Sequence, residues 1–201
     1  HEATDIILEE VNNPDAAVAC IGPGGERLIR YANIMVDYDR AAGRCGGGAV
    51  MGSKKLKAIV VDGDRDIEPA RPEEFWKAAE DALKGVAGRR EDLGMLGTIG
   101  IVSPFNELGA LPTKNFQTTY FEEADKMSGE ELARKYLIKR RACFGCVIGC
   151  GRFIWVPGGK YATPPHEGAE YETTDMIGVQ SLMTSLDALI KADYLCLSLI
   201  H

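Results

Sequence analysis

Cys143, Cys146 and Cys150 stand in the run Arg140-Arg141-Ala142-Cys143-Phe144-Gly145-Cys146-Val147-Ile148-Gly149-Cys150-Gly151-Arg152, a C-x2-C-x3-C spacing. Thiolates this close together meet on one object only if the backbone wraps around it. Gly145, Gly149 and Gly151 permit that wrapping, because glycine accepts positive φ and close approach. Iron–sulfur clusters and zinc are the usual objects, and a 4Fe–4S cluster takes four ligands. Three are in this run; the fourth is not adjacent. Zinc would use the same three cysteines with His166 or a water.

Two further segments could do chemistry. Gly43-Arg44-Cys45-Gly46-Gly47-Gly48-Ala49-Val50-Met51-Gly52-Ser53-Lys54 precedes the strand Ala58-Ile59-Val60-Val61. A glycine-rich loop that feeds a short helix and then a strand lets backbone approach an anion closely; an ordinary strand-to-helix turn shares the pattern. Downstream, Glu167, Glu170 and Glu172 put three carboxylates in six residues, with His166 beside them. A general acid or base needs an apolar, half-buried carboxyl with a raised pKa. A solvated acidic loop, or a helix start that favours Glu, reads the same way.

The elements that must position these groups change character along the chain. Residues 3–11 read as a short helix stopped by Asn12-Asn13-Pro14, and 16–21 as an apolar strand running into the turn Gly22-Pro23-Gly24-Gly25. Residues 27–36 hold a further strand or two. Asp62-Gly63-Asp64 closes this region. Pro72 suits the first position of a helix reaching about Val86, with Phe75, Ala79 and Leu83 at helical spacing. Glycines and prolines then break residues 88–116 into short helices. Ser128-Gly129-Glu130-Glu131 is a capping-box pattern opening a helix to about Lys139. Residues 153–156 and 160–162, around Pro157-Gly158-Gly159, read as a hairpin. Helices over about 171–184 and 186–200 finish the chain. The expectation is an α+β chain: a strand-rich domain over 1–65, then a mainly helical domain over 66–201 that carries the cysteine run.

The 201 residues, 45% apolar and 26% charged, describe an ordinary globular chain. The net charge of −7 argues against nucleic acid as a main partner, since phosphate binding needs clustered cations. The local clusters Lys54, Lys55, Lys57 and Lys139, Arg140, Arg141 suit either an anionic cofactor or a solvated edge. No apolar run approaches the ~20 residues that span a bilayer. Three cysteines packed into eight residues, with Cys20, Cys45 and Cys196 scattered, point to a reducing, cytoplasmic setting rather than a disulfide framework. Cys20, Cys45 and Cys196 read as small buried apolar residues. A start without Met and an end inside the apolar stretch 195–200 predict an internal segment of a longer polypeptide.

Residues 43–59 closely resemble the glycine-rich signature of the aldehyde:ferredoxin oxidoreductase family. Ile21-Gly22-Pro23-Gly24-Gly25-Glu26, the C-x2-C-x3-C run and Glu167-Gly168-Ala169-Glu170-Tyr171-Glu172-Thr173 look like further family segments, in family order. The resemblance covers essentially the whole chain. It implies a two-sheet base supporting a tungsten (or molybdenum) bis-pyranopterin, then helical domains, beside one 4Fe–4S cluster. It implies that Arg44, Gly46, Gly47, Gly48 and Ala49 lie against the pterin and its bridging Mg2+, and that Cys143, Cys146 and Cys150 are three of the four cluster ligands, the fourth lying far downstream. It implies a Glu of the Glu-Tyr-Glu segment near the metal, with Glu170 and Glu172 both open. The activity implied is oxidation of an aldehyde to a carboxylic acid, with electrons leaving to ferredoxin and the remainder of the polypeptide or a partner subunit completing the site. A related reductase acting on an aromatic or other activated substrate, and a non-catalytic Fe–S or zinc module, are the rival readings.

Overall fold

Four short strands in the first third of the chain alternate apolar residues between two faces, and they assemble into one antiparallel sheet. The computed structural model describes residues 2–38 and 40–200, of which 197–200 as backbone only. The chain divides into two compact units, His1–Ile67 with Leu195–His201 and Glu68–Tyr194.

In the first unit, helix α1 (Glu2–Val11) precedes β1 (Ala17–Cys20). A short helix α2 (Pro23–Glu26), with Pro23 at its first turn, follows where a plain turn was expected. Then come β2 (Ile34–Val36), β3 (Arg40–Ala42), helix α3 (Gly47–Ser53) and β4 (Ala58–Val61). The strand order is β3-β2-β1-β4. Register sets the faces: Val18 opposes Val60, and Cys20 opposes both Ala58 and Met35. Val18, Cys20 and Met35 form a small core against Ala3, Ile7 and Leu8 of α1. The alternating residues Ala17, Ile59 and Val61 leave the opposite face exposed and apolar.

Helix α3 lies close to α2 because both carry glycine at the contact. A Cβ on Gly52 would sit 2.0 Å from the Gly25 carbonyl oxygen, and one on Gly48 would sit 2.1 Å from that of Asn33. Real Cβ atoms never approach so closely, so these positions admit only glycine.

The second unit is mainly helical. Helix α4 (Pro72–Ala87) forms as expected, but it buries none of its residues: Phe75, Trp76 and Leu83 are exposed. Short helices α5 (Leu93–Leu96) and α6 (Val102–Glu107) follow. Helix α7 (Gly129–Tyr136) is capped by Ser128, whose hydroxyl accepts from the Glu131 amide at 3.2 Å. Glu131 completes only half of a capping box, since its carboxylate turns to Arg134 and Lys135 instead.

Helix α7 stops at Tyr136, short of the expected Lys139. Leu137–Arg141 is a strand, β5, paired with β6 (Gly151–Ile154), which in turn pairs with β7 (His166–Glu167). The expected hairpin over 153–162 is thus replaced by a three-stranded sheet in the order β5-β6-β7. Val156 and Thr163 meet across the Pro157–Gly159 turn: the Thr163 amide donates to the Val156 carbonyl at 3.1 Å, and the Val156 amide donates to the Thr163 hydroxyl at 3.3 Å.

The expected helix over 171–184 is broken. It comprises α8 (Tyr171–Thr173), a π turn over Thr174–Gly178 and a 3-10 turn over Val179–Ser181, ending at Leu182 with φ 56°. Helix α9 (Leu186–Ile200) forms as expected. Ile99, Val102, Leu111, Met127, Leu132, Ile154, Val179, Leu189 and Ile190 make the core of this unit. Among the described residues no helix is long and apolar enough to cross a membrane.

Candidate functional site

The cysteine run is the connection between β5 and β6, so the pairing of Arg141 with Gly151 fixes both of its ends. Gly145 and Gly149 take φ of 68° and 66°, and the Cys146 amide donates to the Cys143 carbonyl at 3.0 Å to close the first turn. Cys143 and Cys146 are exposed and Cys150 is half-buried. Phe144, between the first two, is fully exposed. Beside the loop is an open hollow of ≈ 390 Å³ lined by Arg90, Arg140, Arg141, Cys146, Ile148 and Gly149. Three guanidinium groups on one thiol-bearing hollow suit an anionic thiolate cluster, whose charge they offset. Among the described residues no three His, Cys, Asp or Glu side chains converge as one metal ion requires. His166 is buried away from that role: its Nδ1 lies 2.9 Å from the Pro164 carbonyl, its Nε2 3.9 Å from Asp193 Oδ2, and its ring meets Tyr194 edge-on.

The acidic segment separates into unlike environments. Glu167 is buried on β7, with one oxygen 3.6 Å from Arg141 Nε. Glu172 is exposed on α8. Glu170 stands just before α8, 37% exposed, with Oε1 3.0 Å from Arg152 Nη2. The Thr98 hydroxyl donates to its Oε2, and that same hydroxyl accepts from the Tyr171 amide at 2.9 Å. Glu170 is therefore held from two sides while its open side faces solvent. Of the two candidate carboxylates, the fold fixes Glu170 and leaves Glu172 outside.

Arg152, which sequence reasoning missed, is wholly buried. Its Nη1 donates to the Cys150 carbonyl at 2.5 Å. A buried arginine is uncommon and needs partners; an arginine inside the apolar strand Gly151-Arg152-Phe153-Ile154 was the signal available. Gly97, at φ 66°, makes the room: a Cβ there would lie 1.1 Å from Nη1. Asp193 was missed as well. Burial pushes its carboxyl up to about 6, the Thr173 hydroxyl opposes that rise at 2.9 Å, and the Glu170 charge adds to it. Tyr171 is also raised, by burial and then by the charges of Asp175 and Glu172.

The glycine-rich loop, in the first unit, has a different logic from the one expected. Gly46 is at φ 71° and begins α3. The Gly48 amide donates to the Ala32 carbonyl at 3.0 Å, and the Ala49 amide to Gly46 at 3.1 Å. These two amides are thus engaged within the fold, so of the residues expected against the pterin Gly48 and Ala49 keep their N–H groups for the chain itself. Gly46 and Gly48 are buried against the backbone of Arg30 and Asn33. Arg44 is exposed and fits an anionic group by its bidentate fork. Cys45, expected to be buried, is exposed at φ 71°; Cys196 is exposed too, whereas Cys20 is buried, 3.8 Å from the Thr4 hydroxyl.

Comparison with known proteins matches residues 1–63 to the family "Aldehyde ferredoxin oxidoreductase, N-terminal domain" and residues 74–199 to "Aldehyde ferredoxin oxidoreductase, domains 2 & 3". A tungsten-containing aldehyde ferredoxin oxidoreductase of Pyrococcus abyssi is 41% identical over 198 residues, covering 96% of this chain and 32% of that protein. The WOR-like subunit of an aliphatic sulfonate oxidoreductase of Pyrococcus furiosus is 28% identical over 189 residues, covering 90% of this chain and 29% of that one. Among solved structures, the active site complex BamBC of benzoyl coenzyme A reductase with 1,5-dienoyl-CoA matches with a TM-score of 0.70 at 27% identity. It covers 96% of this chain and 30% of that one. The chain thus spans about a third of the length of the relatives it matches.

Proposed function

The chain belongs to the aldehyde ferredoxin oxidoreductase family, and from that premise we propose that it is the cofactor-supporting and cluster-binding part of a tungsten (or molybdenum) bis-pterin enzyme. The reaction takes an aldehyde and water to a carboxylic acid, two protons and two electrons, and the electrons leave through a 4Fe–4S cluster to ferredoxin. Identity near 41% to a tungsten-containing aldehyde enzyme, against 28% and 27% to the sulfonate and benzoyl coenzyme A enzymes, supports the aldehyde reaction over the related reductase.

When bound, the metal–pterin unit supplies two-electron redox chemistry and the cluster passes electrons on singly. The chain's own residues would do the rest. Cys143, Cys146 and Cys150 would hold the cluster by three thiolates, with Arg90, Arg140 and Arg141 offsetting its charge. Arg44 would hold a phosphate of the pterin, and the first turn of the glycine loop would lie beside it and its Mg2+. Glu170, half-exposed and fixed by Arg152 and Thr98, would take a proton at its carboxylate as water adds to the aldehyde.

The observation that carries this reading is that one unit presents both a thiol loop and a single carboxylate clamped by a buried guanidinium. Anaerobic purification of the full-length gene product tests it. Tungsten or molybdenum with about four irons per chain, and aldehyde-dependent reduction of a viologen dye, are the expected results. One zinc without iron would favour a structural module instead, and no dye reduction would count against aldehyde oxidation.

A further inference from the structure

We propose that Arg152 is a positioning residue that ties the carboxylate of Glu170 to the backbone of the cysteine loop at Cys150. The inference rests on the reading above and assigns a role that no cysteine or glutamate supplies by itself.

Four observations carry it. Arg152 is wholly buried on β6, two residues past the last cysteine of the run. Its two terminal nitrogens point to different partners: Nη1 to the Cys150 carbonyl at 2.5 Å, Nη2 to Glu170 Oε1 at 3.0 Å. Its slot exists because residue 97 is glycine at positive φ, and any Cβ there would overlap the guanidinium. Neither Nε nor Nη2 makes a hydrogen bond among the described residues, so Nη2 holds Glu170 as an ion pair. A buried cation whose three nitrogens are incompletely satisfied is expensive as mere filler. The cost is understandable if the planar fork is there to hold two groups in one fixed plane, a geometry that lysine's point charge on a flexible stem does not impose. Thr98 then fixes the second oxygen of Glu170, so the carboxylate plane follows the loop.

The test uses the full-length enzyme as wild type, Arg152→Lys, Glu170→Gln and the double variant. Tungsten and iron per chain, kcat per bound tungsten, KM, and the electron paramagnetic resonance of the reduced cluster are measured for each. Arg152→Lys keeps the charge and loses the bridge. Its kcat per tungsten falls about tenfold or more while KM moves less than about threefold. Glu170→Gln falls further, and the double variant falls no further than Glu170→Gln, because Arg152 acts through Glu170. Losses that multiply in the double variant, or an unchanged kcat per tungsten in Arg152→Lys, overturn the proposal.

If Arg152→Lys does not load metal, the resonance of Glu170→Gln decides, since that variant leaves Arg152 in place. Altered g values are expected once the guanidinium loses its anionic partner, and a spectrum identical to wild type overturns the proposal. A wild-type enzyme without tungsten or aldehyde activity sinks the functional reading and this role together. An active wild type with multiplicative losses sinks the role of Arg152 alone.

Discussion

The Nη2 of Arg152 lies 3.0 Å from Oε1 of Glu170, while two residues along the same helical entry Glu172 projects into solvent. Adjacent carboxylates in one sequence segment thus have opposite fates. Glu170→Gln in the full-length enzyme is expected to lower kcat by about 100-fold or more, the scale of a lost general acid or base. Glu172→Gln is expected to change it less than about twofold, within the range of exposed substitutions. Steady-state aldehyde oxidation on both variants checks the contrast, and equal losses would remove the distinction drawn from the geometry.

Each of Cys143→Ser, Cys146→Ser and Cys150→Ser is expected to drop iron well below the about four atoms per chain of a complete cluster, because a hydroxyl is a poor substitute for thiolate. Cys45→Ser and Cys20→Ser should leave iron unchanged, as neither lies in the β5–β6 loop. Iron per chain after anaerobic purification reads this directly.

Two glycines of one signature should respond oppositely to the same methyl group. Gly48→Ala drives a Cβ to 2.1 Å from the Asn33 carbonyl and should cost about 3 kcal/mol. Gly43→Ala meets nothing within 4 Å and should cost less than about 0.5 kcal/mol. Urea unfolding of both variants measures the difference.

Asp193 carries a pH signature. Burial raises its carboxyl to about 6 in the folded protein, above its unfolded value near 4. Between those values the folded state holds the proton and the unfolded state does not. This residue's contribution to stability is therefore full below about pH 4 and is lost as pH rises through 6. The loss is on the order of 3 kcal/mol. Asp193→Asn keeps an acceptor for Thr173 and removes the titration. The stability of wild type minus that of Asp193→Asn should fall from pH 4 to pH 6.5, and a difference that stays flat would contradict the raised carboxyl.

The strand-then-helix order, the helix from Pro72 and the Ser128 cap were legible because composition, proline and capping chemistry act locally. The β5 strand was not. Leu137-Ile138-Lys139-Arg140-Arg141 lacks the alternation of a strand, and it becomes one because Gly151–Ile154 pairs with it across the cysteine loop. The apolar spacing of Phe75, Ala79 and Leu83 announced the helix correctly but did not say whether that face would be buried. Cys45 looked like a small core residue, yet its left-handed backbone places it in the exposed loop. At the site, thiols and carboxylates announce themselves by type and spacing. Arg152 and Gly97 are 55 residues apart in the chain, and only folding shows that one makes room for the other.

The π turn at Thr174–Gly178 fits an extra residue into one turn of backbone. In terms of sequence history, it has the form of a single-residue insertion retained in a helix. Deleting the exposed Met176 would let the ring close as α-helix. That would rotate the segment before it by about 100° relative to the core anchored by Val179. Glu170 lies on that segment, so the length of this stretch is as tightly constrained as the identity of any side chain it carries.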